Sequence, residues 1–64
     1  MPEVMINMAA GRTNEVKKQL MLDITHAVMK NCNVPADAVT VQINEAPLVH
    51  KMKGGQTFEE RMKK

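Results

Sequence analysis

The stretch AVTVQINE, residues 38–45, alternates without a break. Val39, Val41 and Ile43 fall on one side and Thr40, Gln42 and Asn44 on the other, which predicts a strand with one buried and one polar face. Pro47 ends it. On its amino-terminal side, NCNVPAD (residues 31–37) closes whatever comes before, because Pro35 disfavours helical φ/ψ at Val34. What comes before is a helix over about residues 14–31, with an apolar stripe at Val16, Leu20, Ile24, Ala27 and Val28. Lys17, Lys18, Asp23, His26 and Lys30 are expected mostly on its other side. Thr13 is a plausible N-cap with Glu15 in the first turn, although Val16 stands where a full capping box wants Glu or Gln.

Further back, AAGRTNE (residues 9–15) turns the chain, with Gly11 permitting a positive φ. Residues Glu3–Met8 read as a second strand: Val4, Ile6 and Met8 alternate with Glu3 and Asn7, and Met5 blurs the pattern. A helix of this length is about 27 Å long, enough to return along the strands it joins. The connection makes the strands parallel neighbours with a right-handed crossover. The remainder, LVHKMKGGQTFEERMKK (residues 48–64), reads as a hairpin or arm about Gly54-Gly55 rather than as core. The fold class is therefore α/β (α+β): a single βαβ unit and a short C-terminal hairpin in one domain, residues 1–64.

One βαβ unit has two free sheet edges and one helix, so it cannot cover its own sheet. A 64-residue chain buries only about 60% of its unfolded surface and is marginal alone. Disulfides, metals or oligomerisation compensate in small domains. Cys32 is the sole cysteine and no Cys/His cluster offers a metal site, so oligomerisation is the expected route, and 44% hydrophobic residues fit it.

The lone thiol and seven methionines suit a reducing compartment. No apolar run approaches a membrane span and no signal-peptide pattern opens the chain, so a cytoplasmic protein is expected. A formal charge of +2, with one Phe and neither Trp nor Tyr to stack on bases, argues against nucleic acid. The basic residues in KMKGG and ERMKK read as a solvated tail. Gly54-Gly55 lacks the surroundings of a phosphate loop.

Pro2 follows Met1 directly. Removing Met1 would leave a secondary amine at the N-terminus, with an unperturbed pKa of about 8 that burial or neighbouring cations lower toward working pH. That suits a general base. Arg12 lies at the helix entrance, against the macrodipole, which suggests an anionic partner such as a carboxylate held through two parallel hydrogen bonds. His26 is expected to be exposed. His50 sits beside the possible site but has only a minor claim to catalysis. Cys32 has no basic partner in sequence to activate it.

Together, MP at the start, GRTNEVKKQL at the helix entrance, VPADAVTVQINE at the second strand and GG near the end resemble the 4-oxalocrotonate tautomerase (2-hydroxymuconate tautomerase) family of the tautomerase superfamily. The resemblance implies a cofactor-independent isomerase that interconverts enol and keto forms of a small 2-oxo or 2-hydroxy acid. It implies Pro2 as general base, Arg12 as a grip on the substrate carboxylate, and a homo-hexamer built as a trimer of dimers with sites at subunit contacts. A second family arginine falls at Thr40, and an aromatic wall residue falls at Lys51. Lys51 is either a point-charge substitute for that arginine or a solvated side chain. Thr40 is either a hydrogen-bond donor to substrate or the polar face of a strand. These two departures put a dicarboxylate substrate in doubt. They also keep open an alternative: a non-catalytic or partner-dependent subunit that serves assembly. A related hydration or decarboxylation would need an acid to activate water, for which Glu3 and Glu45 are candidates.

Overall fold

A computed structural model describes residues 2–63; Met1, whose removal the reading of Pro2 requires, and Lys64 lie outside the described residues. Strand β1 (Glu3–Ala9) leads to helix α1 (Asn14–Cys32) and strand β2 (Thr40–Ala46), with a single 3-10 turn at Ala36–Ala38 before β2 and another at Leu48–His50 after it. Strands β3 (Met52–Lys53) and β4 (Gln56–Thr57) and helix α2 (Phe58–Met62) complete the chain.

β1 and β2 pair in parallel from Glu3↔Thr40 to Ala9↔Ala46. The register places Val4 beside Val41 and Ile6 beside Ile43 on one face. These apolar pairs are partly covered, and Glu3, Met5, Thr40 and Gln42 on the other face are exposed. The period-two reading of both strands therefore holds, with β2 beginning at Thr40 rather than Ala38 because a 3-10 turn uses Ala36–Ala38.

Thr13 caps α1 as expected, its hydroxyl oxygen accepting from the Val16 N–H at 3.2 Å. Asn33 closes the helix in the left-handed region, φ 56°, a conformation that asparagine tolerates. The covered side of α1 carries Lys17, Leu20, Met21, Ile24 and Val28, whereas Val16 and Ala27 are exposed. The helical stripe is thus rotated from the one read in sequence, and Lys17 faces inward. There Lys17 Nζ meets Glu45 Oε1 at 2.7 Å, which ties α1 to β2.

α2 was not legible as a helix in the reading above, although its signal stands in the sequence. Thr57 and Glu60 form a reciprocal capping box, with the Thr57 N–H donating to Glu60 Oε1 at 2.8 Å and the Glu60 N–H donating to Thr57 Oγ1 at 3.1 Å. Those hydrogen bonds hold the Glu60 carboxyl below the usual glutamate range.

Among the described residues none is fully buried, and Met5, Val16, Leu22, Val49, Met52 and Met62 are all exposed. The radius of gyration is 14.9 Å, against about 11 Å for a compact domain of this length. The accessible surface is 5055 Å², roughly 900 Å² above the figure for a compact monomer of this mass. The chain is thus more extended than a compact monomer of its length.

Candidate active site

The strand register separates the expected site residues into two groups. At the start of the sheet, the Thr40 N–H donates to the Pro2 carbonyl at 3.1 Å. This bond holds Pro2 in line with β1, where it is half-buried. Thr40 is registered with Glu3, so alternation sends its side chain to the exposed face, away from the side of Val4 and Val41. Pro2 and Thr40 are neighbours along the backbone but project differently.

At the far end, the Ala10 N–H donates to the Ala46 carbonyl at 2.9 Å and extends the sheet by one step. Gly11 then turns the chain at φ 137°. A Cβ there would meet nothing within 4 Å, so glycine is required for its backbone angle and not for space. Arg12 follows, exposed, just before the N-cap of α1. Neither of the two ion pairs among the described residues involves it. A guanidinium left uncompensated beside a positive helix end is poised to take an anion.

Lys51 also belongs to this far end, five residues beyond Ala46. It is half-buried, with its ammonium 5.5 Å from the centroid of the Phe58 ring. The Lys51 ammonium thus lies at cation–π distance from an aromatic face.

Seven strand residues and Ala10 separate Pro2 from the Gly11 turn, and the strand alone spans about 23 Å. A small acid cannot reach from Pro2 to Arg12 of the same chain. The fold brings Pro2 near Thr40 and Arg12 to the end that carries Lys51, but it does not bring the two groups together.

A depression of ≈ 480 Å³ lies between the first turns of α1 and β2, lined by Asn14, Lys17, Lys18, Met21, Ile43 and Glu45. It is within the size range of small-molecule sites but includes none of the four residues singled out above. Lys17 and Glu45 are paired within its lining. Glu45 is therefore engaged as an ion-pair partner, and Glu3 is exposed on the sheet's open face. His26, His50 and Cys32 are exposed as well. Among the described residues no group of three His, Cys, Asp or Glu converges on a metal position, and no helix is long and apolar enough to cross a membrane. Phe58 is the residue that the sequence reading missed; its only signal was that it is the sole aromatic.

Residues 2–61 match the family described as Tautomerase enzyme. The chain is 64% identical over 61 residues to a probable tautomerase of Bradyrhizobium diazoefficiens, covering 95% of this chain and 91% of that one. It is 33% identical over 57 residues to the 2-hydroxymuconate tautomerase of Stutzerimonas stutzeri, covering 89% and 90% of the two chains. Among solved structures, it is similar to a 4-oxalocrotonate tautomerase isozyme from Methylibium petroleiphilum, with TM-score 0.87, 36% identity and 95% of each chain covered. It is also similar to a heterohexamer 4-oxalocrotonate tautomerase from Chloroflexus aurantiacus, with TM-score 0.85, 32% identity, and 94% and 97% of the chains covered. With the parallel βαβ unit, its hairpin and these likenesses all in agreement, the chain belongs to the 4-oxalocrotonate tautomerase family of the tautomerase superfamily.

Proposed function

We propose that the protein is a cofactor-independent tautomerase in which Pro2, freed of Met1, is the general base and Arg12 of a neighbouring copy holds the substrate carboxylate. The substrate class is a small 2-hydroxy-dienoic or enolic acid. The observation that carries the reading is the division of the sheet: a half-buried proline pinned by Thr40 at one end, and an uncompensated guanidinium at the other. Copies that meet end to end would complete each other's sites. The solvent-exposed surplus of the single chain and its exposed apolar side chains support such an assembly, for which a hexamer is the natural candidate.

The chemistry needs one lone pair and one cation. The Pro2 nitrogen takes the enol hydroxyl proton. The O–H electron pair becomes the new C=O bond, and the C=C pair moves along the chain to a carbon. That carbon recovers the proton from the prolinium, leaving the 2-oxo acid and a neutral Pro2. Proton transfer by a positioned base contributes about 10²- to 10⁴-fold. Arg12 fixes the carboxylate through two parallel hydrogen bonds and favours negative charge on the adjacent oxygen as it develops.

The test is ultraviolet detection of enol-to-ketone conversion, with phenylpyruvate enol and 2-hydroxymuconate, on protein whose intact mass shows that it begins at Pro2. A rate above buffer that disappears in Pro2→Ala is expected. No rate for either substrate would contradict the proposal and favour a non-catalytic or partner-dependent subunit.

A further inference from the structure

Lys51 and Phe58 are held together by the hairpin and short helix that follow the β1–α1–β2 body. Gly54 and Gly55 both have positive φ, 63° and 82°, as a mirror-image two-residue hairpin turn requires. That turn sets the Met52↔Thr57 register. One step farther out, the Phe58 N–H donates to the Lys51 carbonyl at 2.8 Å. On the other side of Phe58, the Thr57–Glu60 capping box starts α2. The Phe58 backbone is thus fixed by the hairpin before it and by the helix it opens. What this rigid arm presents is a ring with the Lys51 ammonium 5.5 Å from its centroid, both residues half-buried.

The ring restrains an otherwise mobile cation. A lysine stem has many rotamers, and the negative face of a phenyl ring attracts an ammonium within about 6 Å of its centroid. Arg12 and Lys51 leave the sheet at the same end, beyond the Ala10–Ala46 hydrogen bond. We propose that Phe58 is a positioning residue that holds the Lys51 ammonium as a second cationic contact for an anionic group on the substrate. The proposal rests on the tautomerase reading above and adds a selectivity to it. An ammonium is a point charge without the guanidinium's planar fork, so the contact discriminates by charge and accepts varied geometries of the anion.

Steady-state kinetics on the assembled protein test this with 2-hydroxymuconate, which carries two carboxylates, and phenylpyruvate enol, which carries one. Phe58→Leu keeps an apolar side chain and removes the ring. It should raise the ratio of the dicarboxylate KM to the monocarboxylate KM by about two- to fivefold, with Phe58→Trp restoring the ratio. Lys51→Gln should shift the same ratio, and Phe58→Leu should add nothing in the Lys51→Gln background. Equal effects of Phe58→Leu on both substrates, or additivity with Lys51→Gln, would reduce Phe58 to packing and overturn the proposal. An unchanged ratio in Lys51→Gln would also overturn it while leaving the tautomerase reading intact. Wild-type protein starting at Pro2 that converts neither substrate would remove both.

Discussion

The two ends of the β1–β2 sheet differ in what they offer and in what fixes them. The amino-terminal end presents Pro2 and Thr40, held by a backbone hydrogen bond between the strands. The carboxyl-terminal end presents Arg12, placed by the Gly11 turn, and Lys51, placed by a hairpin arm that is locked by its own turn and cap. One end has the candidate base and the other has the cations. About 23 Å of strand keeps them apart, which is why the proposed site draws on more than one copy.

The largest effect should come from the amino-terminal end. Pro2→Ala, or retention of Met1, which turns the Pro2 nitrogen into an amide without a basic lone pair, should lower kcat by about 10²- to 10⁴-fold. Intact mass identifies the species, and near-unchanged sedimentation would place the loss in chemistry rather than in assembly. At the other end, Arg12→Ala removes a charge-assisted contact to the carboxylate and should cost about ten- to a hundredfold in kcat/KM. An effect of Arg12→Ala confined to stability would break the comparison, because Arg12 would then be structural.

The surface that must join the two ends is tested next. Met5 is 57% exposed on the sheet face that α1 does not cover. Met5→Asp would put an unpaired charge into an apolar contact, at a cost of several kcal/mol, and sedimentation should show a shift to smaller species. An unchanged sedimentation coefficient would place the contact elsewhere. A smaller effect is expected in the arm, where Thr57→Ala deletes the cap of α2 at about 1 kcal/mol. Amide exchange at Glu60 should quicken while exchange in α1 stays slow.

The arm also has a pH dependence. The Thr57 backbone and side-chain hydrogen bonds lower the Glu60 pKa from its ordinary 4.5. A carboxyl whose folded value is depressed contributes stability that is fully present above the ordinary value and is lost as pH falls through the lowered one. Exchange protection of α2 should therefore hold at neutral pH and weaken below the ordinary glutamate range, and Glu60→Gln should flatten that response.

Much of the body was legible because one repeat distance dominates it. Val39, Val41 and Ile43 could be read as a strand from period two alone, and Pro35 and Gly11 marked where the helix and the turn must fall. The rotation of α1 was not legible. Val16 looked like core and Lys17 like solvent, and the partner of Lys17, Glu45, stands 28 positions away, where no local pattern points to it. The arm hid its helix for a different reason: α2 is five residues long, too short for a 3.6-residue period to show, although the Thr57–Glu60 cap was present. Pro2 and Arg12 were legible as chemistry. Their separation follows from the parallel register and could not be seen in a linear chain.

Subunit complementation tests the shared-site account most directly. Pro2→Ala and Arg12→Ala proteins, each shown to be nearly inactive, are unfolded together at equal amounts, refolded, and assayed with the same substrate. If base and guanidinium come from different copies, mixed assemblies should regain about a quarter of the wild-type rate, the random-pairing fraction for one residue from each of two copies. A mixture no more active than its separate components would mean that both residues must come from one chain, and the account would be wrong.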